Sequence, residues 1–435
     1  ICEDFWYTDH TRNIPEEMIN LGADLLITPN QSYFYYGKQT KRIKLYTDFS
    51  IHYNIPIISV NSCGIGDIGK NIMIFDGGSI ITNHQGRVIY KKEQFKEDTK
   101  VCNFDLYLKE YKNYNYQNKL WEIHNALIFE TREYFKILGG PKAMVLLSGG
   151  LDSAIVLYLM AEALGTNKVV CITHPSKCNS KSLDRTHKIA RNMGVELIVE
   201  SIGDIMNKIQ NNDNITYEDK IFDEKLIIQS TAQATLRSCL ALKNTHRFNN
   251  AVIIPTSNHT ESVLGWSNFH DIGSIGLQMV LGDLTKMELF QLSDYINNKN
   301  DIELIPDELF NGSTKPAAEL PDADEDPIDY YIQSGICALL IRNNLSKEEL
   351  LFMYDNKTLD NFDDNLNYFP RIKYNNHQSI YDYCNRERFS KEIDFALHRK
   401  RTQIFKTFQS APIVCVSPRS RGFSNRECLI NLYKK

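Results

Sequence analysis

The sequence predicts an α/β protein in two parts: a mixed α/β sandwich followed by a doubly wound parallel sheet. Three observations carry this. Strand–helix–strand followed by antiparallel hairpins fills residues 1–105. An apolar run, Ala143 to Leu147, is followed by the small-residue loop Ser148-Gly149-Gly150-Leu151-Asp152-Ser153. A helix-forming stretch, Ala154 to Gly165, comes next. Short apolar strands then alternate with helices, which implies parallel pairing.

In the first part, Ile14 to Leu21 has helical apolar spacing and ends at Gly22. Ala23 to Thr28 reads as a buried strand stopped by Pro29-Asn30. Thr40 to His52 reads as an amphipathic helix, and Ile55 to Val60 as the next strand. Ile72 to Phe75 and Ser79 to Thr82 flank Asp76-Gly77-Gly78, and Asn83 to Gly86 turns the chain into Arg87 to Tyr90. Residues 106–140 change character. A polar, Tyr/Asn-rich tract, Tyr107 to Leu120, leads into a helix from Trp121 to Leu138, broken by Gly139-Gly140-Pro141.

In the second part, Val169 to Thr173 is a strand ending at His174-Pro175-Ser176. Leu183 to Met193 is a helix and Glu196 to Val199 a strand. Leu226 to Lys243 is helical, and Ala251 to Ile254 is a strand ending at Pro255-Thr256. Ligands of such sheets bind at the C-terminal strand ends. Ser148 to Ser153, His174 to Ser176 and Thr256 to Glu261 are therefore the residues to watch.

The bulk properties set bounds. The 435 residues allow two or three domains. With 42% hydrophobic and 24% charged residues the composition is that of an ordinary globular protein. A net charge of −5 argues against nucleic acid as the main partner. No apolar run approaches the roughly 20 residues of a membrane-spanning helix. The ten cysteines include no C-x-x-C pair, so we expect reduced thiols and a cytoplasmic protein without a zinc ribbon.

The loop at Ser148 supplies its own chemistry. Two glycines allow close backbone approach to an anion, and the helix behind adds positive potential. Ser148 and Ser153 can donate to phosphate oxygens. Asp152 would repel a bare phosphate, so it implies a bridging Mg²⁺, which Glu261 could share. Lys286, in Gly282-Asp283-Leu284-Thr285-Lys286, can meet phosphate as a point charge before a helix from Met287 to Tyr295. No Lys follows the glycines, so this is not the nucleotide loop G-x-x-x-x-G-K-[ST]. A Gly-rich strand–helix turn without function is the bland alternative.

SGGLDS resembles the pyrophosphatase loop of enzymes that cleave ATP between the α- and β-phosphates. With Gln233-Ala234-Thr235-Leu236-Arg237, Thr256 to Glu261, His270-Asp271, Thr285-Lys286, KPAAEL (315–320), the acidic stretch at 322–326 and Ser417-Pro418-Arg419-Ser420, it resembles the ammonia-channelling, glutamine-dependent NAD synthetases. ICEDFW, GADLLITPNQSYFYYGK, PIISVNSCG and FDGGSIITNHQG resemble the second half of a nitrilase-type glutaminase domain. The resemblance implies a partial nitrilase-like α-β-β-α sandwich at 1–105, a linker and connecting helix at 106–140, and an ATP-pyrophosphatase-type synthetase domain at 141–435.

It also implies roles. Cys2 is the glutaminase nucleophile, with Ser32 and Lys38 holding glutamine. Ser148, Gly149, Gly150, Asp152, Ser153, Thr256, Thr285 and Lys286 bind ATP. Arg237, Asn258, Asp271 and Lys315 contact deamido-NAD, and Asp152 and Glu261 hold Mg²⁺. The substrates implied are ATP, deamido-NAD and glutamine or ammonia, in a homo-oligomer without nucleic acid or membrane. The family's glutaminase Glu and Lys precede the Cys, so we read the chain as lacking its first residues. Departures from the family pattern are Thr235 for Arg, His259 for Lys, and Phe269-His270-Asp271 for Tyr-Gly-Asp. Two other readings stay open at this point: another ATP-pyrophosphatase amidotransferase of the GMP-synthetase kind, and a nucleotide-binding subunit with a disabled glutaminase half.

Overall fold

A computed structural model describes residues 2–6, 11–101, 118–176, 180–211, 224–266, 271–312, 328–359, 368–369 and 379–420. The chain divides into two compact units, Ile1–Ile68 with Ile72–Glu133, and Gly69–Asn71 with Tyr134–Lys435.

The first unit opens with a 3-10 turn, Cys2–Phe5, then α1 (Ile14–Asn20), β1 (Leu26–Asn30), α2 (Lys38–Tyr53), β2 (Ile57–Asn61), β3 (Cys63–Ile68), β4 (Asn71–Asp76), β5 (Ile80–Thr82) and β6 (Val88–Lys91). One sheet runs β1-β2-β5-β6, with β1 and β2 parallel and the other pairs antiparallel. The strand expected to stop before Pro29 runs through it to Asn30. β1 is an edge strand, so a residue without an N–H costs the ladder little. The helix α2 turns Ile43, Tyr46 and Phe49 inward at helical spacing. They meet Phe5, Leu26, Ile57 and Ile80 in one buried cluster. Each such side chain contributes roughly 1.5–3 kcal/mol of burial.

The boundary between the units falls inside α3 (Lys119–Ile137). The second unit continues through β7 (Ala143–Leu146), α4 (Leu151–Leu164), β8 (Val169–Thr173), α5 (Ser180–Asn192), β9 (Leu197–Val199), α6 (Gly203–Asn211), α7 (Glu224–Arg247) and β10 (Val252–Ile254). These strands form a parallel sheet in the order β10-β7-β8-β9. β8 (VVCIT) is buried at every position, as a strand covered on both faces must be. α4 starts at Leu151, three residues earlier than the sequence suggests, because Gly150 takes extended backbone at the N-cap. Asp152 and Ser153 therefore stand in its first turn rather than in the loop.

Then come α8 (His259–Leu264), α9 (Ile272–Ile275), α10 (Lys286–Asn300), α11 (Tyr330–Arg342), α12 (Lys347–Asp355), and helices at Ile380–Tyr383, Arg386–Thr402 and Phe405–Gln409. α8, α11 and the Arg386–Thr402 helix share a core of Val263, Leu264, Ile336, Leu339, Phe389 and Ile393. Among the described residues no helix is long and apolar enough to cross a membrane.

Candidate nucleotide site

In the second unit, Gly149 lies in left-handed backbone (φ +80°), and a Cβ there would come within 2.9 Å of Thr186 Oγ1 and 3.0 Å of the Ser182 carbonyl oxygen. Only glycine fits. The loop is cross-braced. Ser148 N–H donates to Ser153 Oγ (3.2 Å), Gly150 N–H donates to Ser148 Oγ (3.2 Å), and Ser153 Oγ donates to the Gly150 carbonyl (3.0 Å). No side chain caps the N-terminus of α4, whereas α8, α10 and α12 each carry a full capping box. The first-turn N–H groups and the macrodipole of a 14-residue helix thus remain for an anion.

Lys286 is the first residue of α10, not the residue before it. Its ammonium lies 2.5 Å from Asp152 Oδ2 and 5.0 Å from the centre of the Tyr330 ring. The Tyr330 hydroxyl donates to Glu261 Oε1 at 3.3 Å, so Asp152, Lys286, Tyr330 and Glu261 form one chain of contacts. Asp152 Oδ1 is buried and takes no hydrogen bond among the described residues. A buried, unpaired carboxylate oxygen beside an anion cradle fits a hard cation, and Glu261 brings a second carboxylate. Among the described residues no group of three or more His, Cys, Asp and Glu forms a complete metal cage.

Lys286 is held from behind. Thr285 caps α10, and Glu288 closes the capping box. Glu288 also takes both arms of the buried Arg342, Nη1 to Oε1 at 2.7 Å and Nη2 to Oε2 at 2.9 Å. Asp283 is fully buried and accepts from Val416 N–H (2.8 Å), Ser417 N–H (2.6 Å) and Ser417 Oγ (2.8 Å). Burial pushes its pKa up, opposed by the Arg342 charge. The Ser417 motif thus pins the turn that presents Lys286.

A pocket open to solvent lies beyond β10, lined by Ser257, Glu261, Trp266, Asp271 and Lys406. Burial lowers the Lys406 pKa, Arg399 adds to this, and Asp271 opposes it. The Lys406 ammonium donates to the Gly265 carbonyl (2.9 Å), and Arg399 lies 5.2 Å from the Trp266 ring centre. Asn258, the N-cap of α8, bonds Glu261 N–H through Oδ1, while its buried Nδ2 has no partner among the described residues. Asp271 stands at the N-cap position of α9 without a side-chain capping bond and lines this pocket. Arg237 does not: its Nε donates to the His174 carbonyl (3.3 Å), at the end of β8. Thr256 follows the end of β10. Lys315, the 322–326 run and Phe269-His270 lie outside the described residues. Sequence reasoning missed Tyr330, Trp266 and Lys406. Tyr330 stands 69 residues from Glu261, so no local pattern links them.

In the first unit, Cys2 has φ +56°, an unusual conformation for a residue with a Cβ and a recurrent feature of functional positions. Ser32 N–H donates to Asn61 Oδ1 (3.0 Å). Lys38 is buried, donates to the Tyr33 carbonyl (2.8 Å), and lies over the rings of Tyr33 (4.2 Å), Tyr35 (5.1 Å) and Trp6 (5.7 Å). The aromatic cage brings Lys38 to the segment that carries Cys2. Glu122 Oε2 accepts from Gly37 N–H (2.6 Å) at the start of α2, and burial raises its pKa to about 7.

Comparison with known proteins bears on the fold and the family. The family model described as NAD synthase matches residues 123–367. The glutamine-dependent NAD(+) synthetase of Acinetobacter baylyi is 28% identical over 81% of this chain and 63% of its own length, and that of Synechocystis is 28% identical with the same coverage. This chain thus spans about 63% of the length of these relatives. The glutamine-dependent NAD+ synthetase of Acinetobacter baumannii, solved with ADP, superposes with a TM-score of 0.64 at 22% identity, covering 98% of this chain and 70% of that one. The one from Cytophaga hutchinsonii superposes with a TM-score of 0.68 at 15% identity, covering 95% and 71%. These structures share the fold; the family model, matching more than half of the residues, establishes that the chain belongs to the NAD synthase family.

Proposed function

We propose that the protein amidates deamido-NAD to NAD with ATP, releasing AMP and pyrophosphate, with ammonia drawn from glutamine. The observation that carries this is the uncapped α4 N-terminus behind Gly149, with Lys286 and Asp152 paired at its first turn. The ATP phosphates rest on Ser148–Ser153 N–H and hydroxyl groups, and Lys286 leaves Asp152 in part to meet developing charge on the phosphates. Mg²⁺, held by Asp152 and Glu261, supplies charge neutralisation of the triphosphate when bound.

The nicotinate end of deamido-NAD occupies the cavity of Trp266, Asp271 and Lys406. The indole offers a stacking face and the ammonium a partner for the carboxylate. A carboxylate oxygen attacks the α-phosphorus, an O–P bond forms, and pyrophosphate leaves. Ammonia then attacks the acyl carbon, AMP leaves with the bridging oxygen, and the nitrogen loses one proton. Binding both partners at adjacent strand ends converts an encounter of two solutes into one oriented step.

In the first unit, the Cys2 thiolate attacks the glutamine amide carbon and releases ammonia, and water cleaves the thioester to glutamate. Ser32 and Lys38 hold the amino acid. The test is NAD formation from ATP and deamido-NAD with each nitrogen source in turn. We expect Cys2→Ala to lose glutamine use and retain ammonia use; equal loss of both would contradict the division of labour. Turnover with XMP in place of deamido-NAD would contradict the acceptor assignment.

A further inference from the structure

Residues 32–38 of the first unit begin at Ser32 and end at Lys38, and both ends are tied to buried side chains that the chemistry above leaves unused. At the first end, Ser32 N–H donates to Asn61 Oδ1 (3.0 Å), and Asn61 Nδ2 donates to Asp76 Oδ1 (3.2 Å). At the other end, Gly37 N–H donates to Glu122 Oε2 (2.6 Å). Gln94 joins the two. Its amide nitrogen donates to Asp76 Oδ2 (3.0 Å) and to Glu122 Oε1 (3.3 Å), which uses both of its N–H groups. Arg42 pairs with Asp76 and supplies one positive charge against the two carboxylates. All five of these side chains are buried.

The bonds close a ring: Ser32, Asn61, Asp76, Gln94, Glu122, Gly37 and back along the chain. The link at Gly37 comes from farthest away. Gly37 is the N-cap of α2, in left-handed backbone (φ +78°) and with no side chain to cap the helix. The carboxylate of Glu122, 85 residues later on α3, takes that place. A negative group at a helix N-terminus is also favoured by the macrodipole. Lys38 is the next residue and the first of α2, so its backbone moves with Gly37. The middle of the loop is fixed independently. Phe34 N–H donates to the Ile74 carbonyl (2.6 Å), and Lys38 Nζ donates to the Tyr33 carbonyl (2.8 Å). A shift at Gly37 therefore changes the spacing of Lys38 from Ser32 rather than carrying the whole loop along.

We propose that Glu122 is a positioning residue for glutamine: by accepting from Gly37 N–H and from Gln94 it sets the distance between Ser32 and Lys38, and so the affinity for the amino acid. The inference rests on the reading that Ser32 and Lys38 hold glutamine. Glu122 touches neither the substrate nor Cys2 on this account. Its removal leaves Gly37 N–H and one N–H of Gln94 without their acceptor, and frees the start of α2.

The experiment measures glutamate release from glutamine, and calorimetric binding of glutamine, for the wild-type protein, Glu122→Ala and Glu122→Gln. Glu122→Ala is expected to raise KM and Kd for glutamine on the order of tenfold, with kcat within about threefold of wild type. The retained kcat shows that the first unit folds. Glu122→Gln, whose amide oxygen can accept from Gly37 N–H, should keep KM and Kd within about threefold of wild type. Unchanged KM and Kd in Glu122→Ala overturn the inference, as does an equal loss of affinity in the two variants or a fall in kcat alone. If the wild-type protein neither hydrolyses nor binds glutamine, the reading of Ser32 and Lys38 fails instead. Hydrogen exchange of residues 32–38 then decides on the anchor: faster exchange in Glu122→Ala than in Glu122→Gln supports it, and exchange equal to wild type in Glu122→Ala overturns it.

Discussion

The two four-stranded sheets of this molecule differ in what covers them. In β10-β7-β8-β9 the central strands β7 and β8 are apolar and almost wholly buried, with all five residues of β8 buried, and only the edge strand β9 exposes an apolar residue, Val199. Such a sheet offers a ligand chiefly its ends, and the Ser148–Ser153 loop, His174 and Thr256 all stand there. In β1-β2-β5-β6 one face packs on α2 and its cluster while the other is open. Ile27 is 60% and Val60 52% exposed, with Pro29 beside them. An ordinary solvent face would carry polar residues. This one is apolar, the composition of a face built to pack. The same strand count therefore encodes a finished interior in one unit and an open layer in the other.

The largest test of that contrast is Arg342→Ala. The substitution leaves Glu288 buried without its partner at the base of α10, and should cost about 3–5 kcal/mol in urea unfolding of the second unit. A loss below about 1 kcal/mol would mean that the interior is less closed than its burial indicates. Next in size is a paired truncation. Ile172→Ala in β8, fully buried, should cost about 2–5 kcal/mol, whereas Ile27→Ala in β1 should stay within about 0.5 kcal/mol. Equal costs would break the comparison, because the outer face would then be covered in solution.

The burial contrast reflects what one strand of sequence can say. The apolar run Ala143 to Leu146, the loop and α4 were legible because each signal is local: length, glycine spacing and helix propensity. Pro29 misled for the opposite reason, since whether a proline ends a strand depends on which strand lies beside it. The partners of Lys286 were half legible. Asp152 and Glu261 were expected around the same phosphates, but Tyr330, which links Lys286 to Glu261, comes from a helix far along the chain. Trp266 and Lys406 share a cavity only through packing of the last helices.

A pH-dependent effect sharpens the comparison inside the first unit. Burial raises the Glu122 pKa from 4.5 to about 7, so the folded state holds its proton more firmly than the unfolded one. Stability should therefore be greatest at acid pH on this account and fall as pH rises from about 4.5 to about 7, by about 3 kcal/mol. Glu122→Gln should remove that slope in unfolding measured across the same window. An unchanged slope would place the titration elsewhere. The smallest effect is expected on the open face: Val60→Thr, at an exposed strand position, should shift stability by less than about 0.5 kcal/mol.

The central proposal is that the strand ends of the covered sheet join the nicotinate carboxylate to the α-phosphate of ATP. Deamido-NAD labelled with ¹⁸O in that carboxylate tests it directly, by mass analysis of the products formed with ATP and ammonia. The account predicts one ¹⁸O atom transferred to AMP for each NAD formed and none in pyrophosphate. NAD formation with unlabelled AMP would contradict it.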